Sequence, residues 1–246
     1  MNFVAKTDIG KKRNNNEDAF FAKIYNEDTA FFIVADGLGG YESGEVASNI
    51  LITTMSLQFE ENFVSITEKV ADEKVPKILN HMLQSANEKI YQLEKTDAKY
   101  RGMGTTIVLL AKINHQFYQL AIGDSRLYYV DEKMLNIEQI TVDDTYVNEL
   151  LKTHAITKEE IENHPQKHVL TKAVGIFKKV DGKVGLIKKT NGYFVLCTDG
   201  LTNMLNNVEI LNIMKKYHFE ELALKLVFKA NLHGGTDNIT VVVVKI

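Results

Sequence analysis

Two helical stripes follow one another in this chain with no strand between them. Val46, Ala47, Ile50, Leu51 and Met55 repeat at helical spacing, with Ser43 expected as the N-cap. Val75, Ile78, Leu79, Met82, Leu83, Ala86, Ile90 and Leu93 form a longer stripe, with Pro76 suited to its first turn. Alternating strand–helix–strand units have no place for such a pair. Elsewhere, short runs rich in Val, Ile, Phe and Tyr read as strands over 2–7, 19–24, 30–35, 105–110, 116–121, 126–130, 193–197 and 238–245. Turn residues such as Asn26-Glu27-Asp28 separate them, so hairpins dominate. Phe219, Leu222, Ala223, Leu226, Val227 and Ala230 make a third stripe before the last strand. The order predicts an α+β sandwich of two mostly antiparallel sheets covered by helix pairs.

Only Pro76 and Pro165 interrupt the 246 residues, and no Gly/Ser linker or repeat divides them, so one domain over 1–246 is expected. Residues 145–174 form the most polar stretch and read as a flap over a site. Basic residues number 29 and acidic residues 32, which speaks against nucleic acid as a partner, because phosphate backbones demand a basic surface. The single cysteine, Cys197, excludes a disulfide framework and fits a reducing compartment. No apolar run approaches the roughly 18–20 residues of a membrane span, and the opening MNFVAKTDIGKKRNNNED lacks the apolar core of a signal peptide. A cytoplasmic location, no membrane contact and a monomer are the expectations.

Chemistry gathers at strand ends. Asp36 follows the run 31–35 and precedes Gly37-Leu38-Gly39-Gly40; Asp199 follows 193–198 and precedes Gly200. Asp124 follows 120–123, and Asp237-Asn238 opens the final strand. A strand end is a stiff mount for a carboxylate, and a following glycine lets an ion approach the backbone. Any one Asp-Gly pair is ordinary turn chemistry. Four aspartates at the ends of buried-looking strands suggest convergence, and convergent carboxylates repel unless a hard cation neutralises them. All-oxygen ligands point to Mn²⁺ or Mg²⁺. No HExxH or CxxC supports zinc, and the P-loop, GxSxG and kinase signatures are absent. His115, His154, His164, His168, His218 and His233 lie mostly in polar segments and read as solvated or capping residues.

In order along the chain, the motifs resemble the bacterial metal-dependent serine/threonine protein phosphatases of the PP2C (PPM) type. They are Thr7-Asp8-Ile9-Gly10, Arg13, Asn16-Glu17-Asp18, Val34-Ala35-Asp36-Gly37-Leu38-Gly39-Gly40 and Gly44-Glu45. Gly102-Met103-Gly104-Thr105-Thr106, Gly123-Asp124-Ser125-Arg126, Leu170-Thr171-Lys172-Ala173-Val174-Gly175, Thr198-Asp199-Gly200 and Gly235-Thr236-Asp237-Asn238 follow. The resemblance implies that Asp36 bridges two metals, that Asp199 and Asp237 hold the first, and that the Gly37 carbonyl helps hold the second. Asp124, with Asp199 shared, resembles the ligand of a third ion. Glu17 and Asp18 look like groups behind the metals, with Asn238 beside Asp237, and Arg13 matches the arginine that clamps substrate phosphate. The implied reaction is attack of a metal-bridging hydroxide on phosphoserine or phosphothreonine, without a phosphoenzyme. Cys197 is then only a core residue. The implied substrates are phosphoproteins, with a cognate bacterial Ser/Thr kinase as counterpart.

Two positions depart from the pattern. Tyr41 stands where relatives commonly carry a histidine suited to general acid work, and Thr141-Val142-Asp143-Asp144-Thr145 replaces Thr-x-Asp-His-Ser. Two other readings compete: a phosphatase-like fold that binds phosphoproteins without turnover, and a metal-dependent nuclease. The complete carboxylate set argues against the first, and the net charge against the second.

Overall fold

The computed structural model describes residues 1–40, 43–66, 69–161 and 163–246. The chain opens with strands β1 (Asn2–Asp8), β2 (Asp18–Ile24) and β3 (Ala30–Leu38), then helices α1 (Ser43–Phe59) and α2 (Val75–Leu93). Strands β4 (Gly104–Thr105), β5 (Ile107–Ile113), β6 (Gln116–Ile122), β7 (Arg126–Val130) and β8 (Ile137–Gln139) follow. Two short helices, α3 (Tyr146–Lys152) and α4 (Lys158–Ile161), lead to β9 (Gly185–Ile187) and β10 (Tyr193–Cys197). The chain ends with α5 (Asp199–Thr202), α6 (Asn207–Lys216), α7 (Leu222–Leu232) and β11 (Ile239–Lys245).

Every paired strand is antiparallel. One sheet has the order β1-β11-β10-β7-β8 and the other β2-β3-β5-β6-β9, with β4 paired to the end of β3. The central strands are apolar on both faces, because each lies between a helix layer and the opposite sheet. On β3, Phe31, Ile33 and Ala35 pack under α1 and α2, whereas Phe32 and Val34 meet the other sheet. On β10, Val195 and Cys197 pack beneath α6 and α7, while Phe194 and Leu196 point inward against Phe117, Leu127 and Val242. The α+β sandwich and its helix pairs are therefore present, and Cys197 is a fully buried core residue. No helix among the described residues is long and apolar enough to cross a membrane.

Several local expectations differ. Ser43 is already inside α1, and its hydroxyl donates to the Gly40 carbonyl instead of accepting a cap bond. The predicted strand 105–110 splits at Thr106, whose N–H donates to the Asp36 carbonyl and whose Oγ1 accepts from the Asp36 N–H. Phe219 belongs to a 3₁₀ turn that precedes α7. Helix α6 was not foreseen, although Asn206 and Glu209 form a reciprocal capping box at its start. The edge strands β8 and β9, three residues each, carry too little pattern to be read from sequence.

Where β3 runs into α1, two glycines lie face to face. A Cβ on Gly44 would come within 2.8 Å of the Gly37 carbonyl carbon and 2.9 Å of its oxygen. Neither backbone can retreat, since Gly37 also donates its N–H to the Glu17 carbonyl. Gly44→Ala is expected to cost about 1–3 kcal/mol, the range for overpacking a close contact. Urea unfolding measures it, and a loss below about 0.5 kcal/mol would mean that this junction yields.

Candidate active site

The expected residues meet in one pocket. Arg13, Glu17, Asp36, Gly37, Thr106, Asp124, Asp199 and Asp237 line a cavity of about 320 Å³ at one end of the sandwich. Asp36 comes from the end of β3, Asp124 from the β6–β7 turn, Asp199 from the start of α5 and Asp237 from the turn before β11. Four separate segments thus bring their carboxylates to one end of the two sheets.

Backbone bonds fix each mount. Asp36 is held through both its N–H and its carbonyl by Thr106, and its carbonyl also accepts from Thr105 Oγ1 at 3.0 Å. The Thr106 and Ser125 hydroxyls share a 2.7 Å bond, which ties β5 to the residue after Asp124. Asp18 sits directly opposite Asp36 in the β2–β3 register. Its Oδ2 accepts from Thr240 Oγ1 at 2.7 Å and Thr198 Oγ1 at 2.9 Å, so it bridges toward the other sheet behind the pocket. Asn238 is a clamp: its Oδ1 accepts from the Glu17 N–H, and its Nδ2 donates to the Ile9 and Asn15 carbonyls. That clamp carries the loop with Arg13 and Glu17 to the pocket rim. Glu17 therefore lines the pocket, while Asp18 lies behind it.

The electrostatics are those of crowded anions. Burial, and then the charges of Asp18, Asp199, Asp124 and Asp237, hold the Asp36 carboxyl well above the usual carboxylate range. Burial pushes Asp18 up to about 7 against the help of its two threonine donors. Asp124 is raised to about 7 by burial and by the charges of Asp199 and Asp143, with Arg126 opposing. Asp199 is raised by burial and by Asp237, and Glu17 by burial first and then by Asp237 and Glu45. Arg13, at the exposed rim, donates from Nη2 to Asp237 Oδ2 at 2.8 Å.

The donor set suits a hard divalent cation. All the candidate ligands are oxygens, and Oδ1 of Asp18 and Oδ1 of Asp199 are buried without a hydrogen-bond partner. Among the described residues, however, no three Asp, Glu, His or Cys side chains are drawn together as a finished metal cage. Asp237 is turned to Arg13, and Asp199 accepts from Asn203 Nδ2 at 2.9 Å. The residues fit such ions in chemistry and in shared location, and Asp237 and Asp199 also have partners within the protein.

Sequence reasoning missed His168, which was expected to be solvated or capping but lines this pocket. It lies in the polar 145–174 stretch, and no local pattern links it to Asp36; only the tertiary fold does. Thr106, Thr198 and Thr240 stand in or at the end of the recognised motifs, but their hold on Asp36 and Asp18 was not read from the sequence. Tyr41 lies outside the described residues.

Known proteins share this arrangement of chain. The sequence profile of the family described as protein phosphatase 2C matches residues 10–227. Protein phosphatase PhpP of Streptococcus pneumoniae is 36% identical over 246 residues, covering 99% of this chain and 97% of that protein. The serine/threonine phosphatase of S. agalactiae superposes with a TM-score of 0.89 at 32% identity, covering 100% of this chain and 99% of that one. The catalytic domain of the serine/threonine protein phosphatase PstP, solved in complex with two manganese ions, superposes at 0.82 with 29% identity, covering 98% and 96%. With a family match over most of its length and a relative spanning nearly all of it, the chain belongs to the protein phosphatase 2C family, as a serine/threonine protein phosphatase.

Proposed function

We propose that this phosphatase works with two Mn²⁺ or Mg²⁺ ions held by Asp36, Asp199, Asp237 and the Gly37 carbonyl, and that Asp124 with Asp199 takes a third. The observation that carries this is one pocket lined by four aspartates, three of them with raised pKa values, with a guanidinium at its rim. Around the pocket, Oδ1 of Asp18 and Oδ1 of Asp199 are buried without a hydrogen-bond partner. The two-ion complex of PstP supports the same reading. Bound there, divalent ions supply positive charge to the phosphate and acidify water for in-line attack on phosphorus.

The chain's own groups have separable tasks. Arg13 gives Asp237 a single N–H contact and has further donors in its planar fork for phosphate oxygens. Asp18 and Asn238 act from behind: one braces the Asp36 strand pair, the other fixes Glu17 and the Arg13 loop. A cysteine nucleophile has no part. Cys197 is fully buried, and burial pushes its thiol up to about 12. Substrates are phosphoserine and phosphothreonine in proteins, so the enzyme opposes a serine/threonine kinase, acting as a cytoplasmic monomer. In this reading residues 145–174 are a flap within a single domain.

Asp36→Asn is expected to lower Mn²⁺-dependent turnover by about 10³-fold or more, since the charge stabilisation at stake is several kcal/mol. Hydrolysis of an aryl phosphate at saturating Mn²⁺, with circular dichroism to show a folded variant, measures it. Near-wild-type rates would remove Asp36 from the site. Asp124→Ala should cost about 10–100-fold in turnover yet leave two ions bound by calorimetry; disappearance of both tight ions would contradict a separate third site.

Asp18 gives a pH test without turnover. Its ordinary value of 3.8 is raised to about 7 in the fold, so between these values the folded chain holds a proton that the unfolded chain has released. Its stability contribution is complete below about 3.8 and is lost as pH rises toward 7. In EDTA, thermal stability of the wild type should fall relative to Asp18→Asn across that window. Mn²⁺ should reduce the fall by binding the folded state. Parallel curves for the two proteins would show that Asp18 does not carry this proton.

A further inference from the structure

A second cavity, about 540 Å³, opens directly off the catalytic pocket and shares Asp124, His168 and Asp199 with it. One wall comes from α3 and α4, with Val147 and Ile161. The facing wall is the turn from α5 into α6, with Leu205 and Val208. None of the groups assigned to phosphate or to the first two metal ions except Asp199 reaches this space.

The substrate's own chemistry says what must lie beside the pocket. The leaving oxygen belongs to a serine or threonine in a polypeptide, so the main chain continues away from the phosphate in both directions. A groove that merges with the phosphate pocket is where one of those directions can run. Several of its polar residues are already engaged, and Arg126 is paired with Asp143. Asn148 Nδ2 donates to the Asp143 carbonyl, Asn203 Nδ2 to Asp199, and Asn206 Oδ1 accepts the Glu209 N–H of the α6 cap. Apolar contact comes from four residues of the lining. Val147 and Leu205 form a buried floor, Ile161 is half-buried, and Val208 stands 66% exposed at the opposite lip.

We propose that this groove binds the polypeptide segment flanking the phosphoresidue and selects an apolar side chain, seated between Ile161 and Val208. The proposal rests on the reading that phosphate reacts beside Asp36. Neither Ile161 nor Val208 touches the reacting groups, so they act on substrate choice through binding.

The test compares p-nitrophenyl phosphate, which needs only the first pocket, with phosphothreonine peptides carrying a single Leu or Ser at each position from −4 to +4. The full chain with saturating Mn²⁺ is used throughout. At one position Leu should raise kcat/KM by about tenfold over Ser, the worth of one apolar side chain in a pocket. Val208→Asp should shrink that preference to about twofold or less by raising KM for the Leu peptide, with kcat little changed. Val208→Ala should give an intermediate preference, and both variants should hydrolyse p-nitrophenyl phosphate at the wild-type rate. A wild type with no preference at any position, or a preference untouched by Val208→Asp, would overturn the groove while leaving the pocket standing. Failure of the wild type on p-nitrophenyl phosphate would instead strike the pocket reading, and the groove with it.

Discussion

The repulsion among carboxylates at one end of the sandwich is the constraint around which this structure is arranged. Burial raises the proton affinity of Asp18, Asp36, Asp124 and Asp199, and neighbouring carboxylate charges, Asp237 among them, raise it further. A flexible loop would relieve such repulsion by moving apart. Strand ends resist, because the mounts of Asp36 and Asp199 are continuous with fully buried runs, Phe31–Ala35 and Phe194–Cys197. The packing energy of three apolar layers, one between the sheets and one under each helix pair, therefore holds the anions together. The same energy makes the site an oxygen-rich place for divalent cations.

Threonine hydroxyls translate that packing into position. Thr198 and Thr240 come from adjacent strands of one sheet and both donate to Asp18, which is paired with Asp36 in the other. Thr106, between β4 and β5, performs the corresponding task, accepting the Asp36 N–H while bonding the Ser125 hydroxyl. Each is buried, so none can trade its bond for water without cost. The two sheets are thus joined by hydrogen bonds at the pocket and by hydrophobic contact elsewhere.

What could be read in the sequence follows from this division. An aspartate after a buried strand and before a glycine is a local pattern, so Asp36 and Asp199 were legible, and the apolar runs before them announced the sandwich. The stripe from Val75 to Leu93 has strong helical period and was placed at its observed bounds. The partners of these aspartates were harder to see. Thr240 and Asp18 are 222 residues apart, and His168 joins the pocket from a polar stretch with no periodicity. Arg13 was legible only through its motif neighbourhood; by composition it is one more charge in Lys11-Lys12-Arg13. Helix α6 was missed because its apolar face is short, even though its cap is written in Asn206 and Glu209.

Residues 145–174 are tied at their ends to the same strand ends that hold the carboxylates. At their root, Asp144 donates its N–H to the Gly123 carbonyl, beside Asp124, and accepts from the Thr171 N–H. Val174 exchanges both backbone bonds with Thr105, the neighbour of the Thr106 that holds Asp36. Asp143, just before, grips Arg126 through three N–H contacts of 2.7–3.1 Å and takes a fourth from Gln139. Arg126 in turn opposes the raised proton affinity of Asp124 two residues away. Asp144 is a second carboxylate at this root, and its Oδ2 also accepts from the Gly123 N–H at 3.3 Å. A substrate segment that pressed on Val147 or Ile161 would thus load the backbone next to Asp124 and Asp36. In the proposed groove, substrate would therefore seat on a stretch whose two ends are bonded beside the carboxylate mounts.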